Sequence, residues 1–472
     1  MAFFLNEIRI EGIPVEQMLS CHISSGAGQH GYLEMTAYIA DQDEVLFRLE
    51  VRQQIHLYLD KNGKKYPLFY GVVTQKEITC SGDLLILQIN AASLSYLMDI
   101  KKRSRSFQNR QMRYSELLMQ IFGEYEGACC QACFPDQELG TWLIQYEETD
   151  WAFLNRMMSR LNTMLTPAVS SRGLSVYAGV AGKERVNIPH TVRLMNKDLH
   201  TYYEMKANGQ EVSAADYTKY QIESAVLLEI FDQVRVDGSG FVVRSSQLDF
   251  GNEQLTASYL LMKKEGIKTL PVEQYGITGV ALSGVIAAAD QDQVQVQLDI
   301  DSDDQSVPEF WLPFSTAAAA GDGSGWYCMP EPGDLVNVYF PTRDVAQAIV
   351  LNAVSGYLTP QGAEDKMGNV RRVYLSTVQD EKLILDSSGA TIATAGEKAY
   401  IRAGADGTIS LYASQWMDIL SSGDLTIQAA NRIEMGFEKL AGFYDEKFIA
   451  AVVANEDGSV LMTGETTQTS ED

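Results

Sequence analysis

The most constraining stretch of this chain lies near its C-terminal end. From residue 371 it reads as short alternating strands broken by small turns at Ser387-Ser-Gly389, Ala405-Asp-Gly407 and Ser421-Ser-Gly423-Asp424. Leu383, Leu385, Ile392, Ile401, Leu411, Ile419, Leu425, Ile427 and Ile433 mark the strand centres. The spacing is loosely repetitive, as in solenoid-like β units, and no single copy of such a segment buries its own apolar face. Something must cover that face. Three identical chains wound about one axis would do so, because each inward residue then meets two copies of itself.

The rest of the 472 residues is also strand-rich. Residues 1–98 alternate apolar and polar positions in five runs, separated by turn chemistry at Gly26 and Gly28, Asp60 to Gly63 and Ser81-Gly82-Asp83, which suggests a barrel or sandwich. Residues 99–200 are mixed. RYSELLMQIFGEY carries a helical stripe of Leu117, Leu118, Ile121 and Phe122. TDWAFLNRMMSRLNTML carries another, with Trp151, Leu154, Met158 and Leu161 on one face, Thr149 as N-cap and Asp150 in the first turn. Residues 201–270 return to strands, with a turn at Asp237-Gly238. Residues 271–358 predict about five strands, among them FWLPFS and GWYCMP, a count that suits an OB-type Greek-key barrel. The repetitive segment spans 371–440. A hairpin turning at Asn455 to Gly458 and a polar acidic tail fill 441–472.

Charge excludes some functions. With 37 basic and 62 acidic residues the net charge is −25, which disfavours nucleic-acid binding and adsorption to anionic membranes. A local basic patch (Lys101, Lys102, Arg103, Arg105 and Arg110) reads as a solvated loop or a charged contact to a neighbouring protein. No apolar run is long enough to span a bilayer, and the N-terminus lacks the pattern of a secretion signal, so folding in a cytoplasm is expected.

Several residues invite chemical readings. Glu147, Glu148 and Asp150 resemble paired carboxylates for hydrolysis, but acids beside an N-cap are ordinary helix-start chemistry. Cys129, Cys130 and Cys133 include a C-x-x-C without the four ligands zinc needs; zinc completed by distant residues stays open. Asp299, Asp301, Asp303 and Asp304 lack the central Gly and final Glu of a calcium loop and read as a surface loop of the barrel. Trp311 and Trp326 read as barrel core or trimer contacts. No nucleophile elbow, zincin motif or phosphate loop occurs. No catalytic, cofactor or metal residue is expected.

Two segments carry a resemblance. Gln145, Tyr146, Glu148, Thr149 and Asp150, followed by Phe153, Leu154 and Arg156, resemble a signature of the valine-glycine-repeat (VgrG) spike proteins and related phage tail hub-and-spike proteins. Gly325, Trp326, Pro330, Gly333 and Asp334, with Val336, Val338 and Phe340, match a second signature, and Tyr275 to Gly279 a weaker third. The resemblance implies a mainly β protein with a minor α/β part: two hub β-barrels, an OB-fold collar and a C-terminal trimeric β-prism or β-helix needle. It implies a structural homotrimer of a contractile injection machine (phage tail, tailocin or type VI-like). Such a trimer is assembled in the cytoplasm, contacts tail tube and baseplate proteins, and is driven into the target envelope. Family tips often bind metal through His-x-His. The five histidines here (His22, His30, His56, His190 and His200) all lie in the first half, so the short needle is capped either by a separate PAAR-like tip protein or by the terminal hairpin. Gly356 to Val370 reads as a short linker without an inserted enzyme. The rival readings are a tail-associated cell-wall hydrolase using Glu147, Glu148 or Asp150, and a cell-surface carbohydrate-binding protein.

Overall fold

Two strands more than two hundred residues apart in sequence, Gln17–Gly26 and Ser239–Asn252, hold the first half of the molecule together. They pair antiparallel, with Ile23 opposite Leu248 and the Ser25 and Ser246 hydroxyls 2.8 Å apart in the buried seam. The computed structural model describes residues 3–11, 13, 15–39, 54–81, 84–183, 185–187, 191–236, 238–252, 254–301, 308–322, 324–356, 365, 367–434, 436, 441–444, 449–454 and 460–463. His190, Asp237, Asp303, Asp304, the Gly82-Asp83 turn, the Asn455 to Gly458 turn and the tail after 463 lie outside them. The chain divides into two units, Met1–Tyr357 and Leu358–Asp472.

In the first unit, a single sheet runs through both strand-rich regions. Its order is Ile8–Glu11, Gln54–Lys61, Lys64–Ser81, Leu84–Ser93, Tyr32–Ile39, Gln17–Gly26, then Ser239–Asn252, Gln254–Met262, Thr218–Ser224 and Thr191–Lys197. Residues 1–98 and 201–270 thus join edge to edge and share one core, which includes Leu33, Leu57, Phe69, Tyr217, Phe250 and Tyr259. Alternation accounts for most of these strands: Tyr32–Ile39 buries every second residue. Gln17–Gly26 escaped the sequence reading because a bulge between Met18 and Ser20 breaks its period, and because Ser, Cys and His are weak strand formers.

Three helices follow the strands of residues 1–98. Helix α1 (Tyr114–Phe122) and helix α2 (Asp150–Arg160) bury the predicted stripes in a second core with Leu143, Leu165 and Val176. Thr149 caps α2 as expected, accepting from the Ala152 N–H at 3.2 Å. Helix α3 (Leu199–Ala207) replaces an expected strand start. It buries Met205 alone, so it has no apolar stripe, but Asp198 caps it through the Thr201 N–H at 3.1 Å. The basic patch is not a loop. Lys102–Phe107 is a strand paired with Leu143–Thr149.

Residues 281–354 form a small barrel. Its strand order is Leu312–Pro313, Gln293–Leu298, Ala281–Asp290, Leu335–Tyr339 and Ile349–Val354, and Phe314 bridges Val350 to join first strand to last. Asp290 pairs with Gln293 across the turn that joins the second and third of these strands. Five strands are present, but GWYCMP forms none of them. Its first four residues are exposed, and it is anchored through Trp326 N–H to the Ala318 carbonyl at 2.8 Å.

The second unit begins with a five-stranded antiparallel meander: Val373–Ser376, Lys382–Asp386, Gly389–Ala393, Ala399–Gly404 and Ile409–Ala413. Leu375, Leu383, Ile392, Ile401 and Leu411 stand opposite one another across all five strands. Val373, Leu385, Ala390, Ala403 and Ile409 form a second such row on the same face. The five residues of the first row are between 36% and 56% exposed. Residues 414–434 were expected to continue as strands, yet form none. A strand needs a neighbouring edge to bond to, and none is supplied to this stretch by the described residues of the chain. Ala441–Tyr444, Ile449–Ala454 and Val460–Thr463 make a separate three-stranded sheet, with Ala454 paired to Val460 as the expected hairpin requires.

Candidate functional site

The first motif sits where the strand Leu143–Thr149 turns into helix α2. Its polar residues are consumed in that turn. Asp150 is fully buried. Its carboxylate accepts from Arg105 Nη2 at 2.7 Å and the Tyr125 hydroxyl at 2.6 Å, and lies 3.2 Å from Arg103 Nε. Glu124 closes the cluster against the same two arginines. Gln145, also fully buried, accepts from Arg105 Nε at 2.8 Å and donates to Asp150 Oδ1 at 2.9 Å. Two of the five basic-patch charges thus pair with a carboxylate that is itself closed to solvent. Burial, with Asp150 beside it, pushes the Tyr125 phenol well above its ordinary value.

Glu148 faces Arg156, the seventh residue of α2, through a forked pair at 2.9 and 2.7 Å. Arg156 Nη2 also donates to the Ile144 carbonyl at 2.8 Å and to Gln274 Oε1 at 3.3 Å. Gln274 returns a bond from Nε2 to the Tyr146 carbonyl at 2.9 Å. Thr149, besides capping α2, donates its hydroxyl to Asp99, and His30 Nε2 lies 3.3 Å from the same carboxylate. Burial raises the Asp99 carboxyl, but the bonds from His30 and Thr149 outweigh it and hold the group below its ordinary value. Glu147 is exposed, with φ of +49° at the crossing point. Neither Glu148 nor Asp150 is a free carboxylate.

The second motif lies on the small barrel. Gly325 has φ of +145°, and a Cβ there would stand 2.3 Å from the Ala318 carbonyl oxygen, so no other residue fits. Pro330 is buried. Gly333, at φ of +99°, donates to the Ile286 carbonyl at 2.9 Å, and the Ile286 N–H returns to the Asp334 carbonyl at 2.9 Å. This docks the Glu331 to Asp334 turn on the bulged strand Ala281–Asp290, while Val336, Val338 and Phe340 fill the barrel. Trp311 and Trp326 are both exposed, so neither belongs to the barrel core.

The two motif regions meet through Trp142, which the sequence reading did not single out, and through Asp301 and the Tyr275 to Gly279 segment, whose place there it did not show. Trp142, three positions before Gln145, stacks on Phe310 and Phe340 with centroids 5.3 and 5.9 Å away, and donates to the Val345 carbonyl at 2.9 Å. It belongs to the barrel core although it comes from the mixed region. Asp301, expected in a surface loop, is buried and accepts from the Ser106 N–H at 2.6 Å and its hydroxyl at 2.5 Å. The weaker third match, Tyr275 to Gly279, closes against the second motif through Gly279 N–H to the Phe340 carbonyl at 2.8 Å. For Trp142 the signal in the sequence is a tryptophan directly upstream of a recognisable motif.

Residues 282–354 match the family described as the type VI secretion system/phage-baseplate injector OB domain. The chain shares its fold with the E. coli c3393 protein, described as a component of the type VI secretion system structurally similar to T4 bacteriophage tail proteins gp27 and gp5. That likeness has a TM-score of 0.55 at 13% identity, over 74% of this chain and 99% of that one. The lidded Francisella PdpA-VgrG complex gives 0.53 at 9% identity, over 84% of this chain and 76% of that one. The lidless form of the complex gives 0.51 at 9% identity, over 84% and 93%. No curated protein matches the chain by sequence. The chain has the fold of VgrG-type tail hub-and-spike proteins. In this VgrG-type fold the first motif, the third and Trp142 form the joint between the mixed region and the OB barrel.

Among the described residues, no group of three or more His, Cys, Asp or Glu side chains could hold a metal, and no helix is long and apolar enough to cross a membrane. Cys129 and Cys130 lie on the strand Cys129–Ala132, with Cys133 just beyond it. Burial, and then the neighbouring thiols, push Cys130 up to about 12, so it remains a thiol at neutral pH.

Proposed function

We propose that this chain is the central hub and spike of a contractile injection machine and works as a homotrimer without enzymatic activity. The observation that carries this reading is the bare apolar face of the meander Val373 to Ala413. Two rows of aliphatic residues cross five strands, with nothing from the described part of the chain over them. A soluble chain does not leave so long an apolar patch to water, and two further copies about a three-fold axis would cover it. The unpaired stretch 414–434 fits the same account, since neighbouring chains would supply the missing edges.

In this reading, residues 1–98 and 201–270 are the two halves of the hub, 99–200 is the insert and 271–358 the collar. Residues 371–440 form the needle, and 441–472 the terminal hairpin and tail. The insert–collar joint passes axial load from hub to collar. The partners are the tail tube protein, baseplate proteins and a separate PAAR-like tip. Assembly takes place in the cytoplasm, and contraction drives the needle into the target envelope. The arginine pairing of Glu148 and Asp150 supports a structural role for both. Light scattering on the full-length chain tests the proposal. Three times 52.3 kDa, about 157 kDa, is expected. A monomer that stays folded at micromolar concentration would overturn it.

A further inference from the structure

An open cavity of about 470 Å³ lies between helix α2, the turn at Ala27 to Gln29 and the segment Gly266 to Thr269. Four cations line it (Arg156, Lys219, Arg244 and Lys268) against one carboxylate, Asp198. This is a local inversion of charge on a chain with a net charge of −25. Arg156 is matched by Glu148 and Lys219 by Asp198, at 2.7 and 2.6 Å. The other two lack such matches. Lys268 Nζ reaches only the Glu211 backbone carbonyl, at 3.4 Å, and Arg244 has no carboxylate partner among the described residues. Between these charges the wall is mixed: Trp151, Met164 and Met262 give it apolar edges beside the polar side chains of Gln29, Asn155 and Thr163.

We infer that this cavity is a docking site for an acidic peptide segment of a partner protein, with carboxylates on Arg244 and Lys268 and an apolar side chain against Trp151 and Met262. Uncompensated cations around a concave, partly apolar wall favour an anionic occupant, and the surrounding negative potential sharpens the choice of where it binds. The mixture of apolar and cationic wall suits a peptide that alternates Glu and Leu. Two unmatched cations are too few to neutralise the run of phosphates that a nucleic-acid strand would bring.

The test uses the full-length chain and a fluorescently labelled, end-blocked Glu-Leu-Glu-Glu-Leu-Glu peptide, read by anisotropy. Saturable binding is expected, weakening as salt rises. It should fall roughly tenfold or more in the Arg244→Gln/Lys268→Gln double variant, the scale of losing charged contacts to the peptide. The same peptide with Gln in place of Glu should not bind. No binding at millimolar peptide, equal binding by the double variant, or preferential binding of a labelled octathymidine would each overturn the inference. Should the double variant misfold, the glutamine peptide and the salt series on the unaltered chain still decide the matter.

Discussion

The insert–collar joint and the C-terminal meander solve opposite problems. At the joint, the buried carboxylate and the apolar side chains both find partners within one chain. Asp150 is met by two arginines, a tyrosine and a glutamine, and Trp142 is seated between Phe310 and Phe340. In the meander only the polar side is settled. Asp386 accepts from the Ser388 N–H at 2.8 Å and Asp406 from the Thr408 N–H at 3.1 Å, which fix the tight turns, while the aliphatic rows stay bare. Turn chemistry is local and a short segment can complete it alone. Covering an apolar face needs a second layer. The first region is therefore closed within one chain, whereas the second leaves an apolar face that the proposed trimer would cover.

Four experiments would break or sharpen this contrast. The largest effect is expected from Leu383→Glu combined with Ile401→Glu, which puts two charges on the bare face. Solution mass should drop from about 157 kDa to 52.3 kDa, while near-ultraviolet circular dichroism of the first unit's aromatics stays unchanged. An unaltered mass would mean that the face is not an interface. Next, Asp150→Ala should cost about 3–5 kcal/mol in urea unfolding, because it strands two arginines in a closed site. A loss below 1 kcal/mol would show that water reaches the cluster. Ser106→Ala removes one of the two bonds to buried Asp301 and should cost about 1–3 kcal/mol, separating the barrel from the insert before either unfolds. The smallest effect concerns pH. The Lys219 ammonium and the Thr201 bonds hold the Asp198 carboxyl down at about 2. Its contribution is therefore complete above the ordinary value of about 3.9 and is lost as pH falls towards 2. Thermal midpoints should drop over that window, and Asp198→Asn should flatten the drop.

Legibility in the sequence followed the reach of the interactions. Tyr32–Ile39, both stripes of α1 and α2, the Thr149 cap and four of the five meander strands were readable, because periodicity and turn residues are written within a few positions. The fate of Asp150 was not, since Arg103 and Arg105 arrive from a strand more than forty residues earlier. The same holds for Asp301 and Trp142, whose partners lie about two hundred residues away. Helix α3 was hidden for another reason: with one buried residue it has no stripe, and only its Asp198 cap marked it. The motif residues were easy to pick out by resemblance, while their work as a joint became visible only when the chain was folded.

The seam between Gln17–Gly26 and Ser239–Asn252 has a consequence for biosynthesis. Ser25 and Ser246 are 221 positions apart. At translation rates of about 5–20 residues per second, the early strand waits roughly ten to forty seconds for its mate to leave the ribosome. During that time its unpaired amides and the apolar face holding Met18, Cys21 and Ile23 are open to the wrong partner. A nascent chain of this design is slow to close by virtue of its topology, so its yield in a cell should depend on how long chaperones can shield one ten-residue strand.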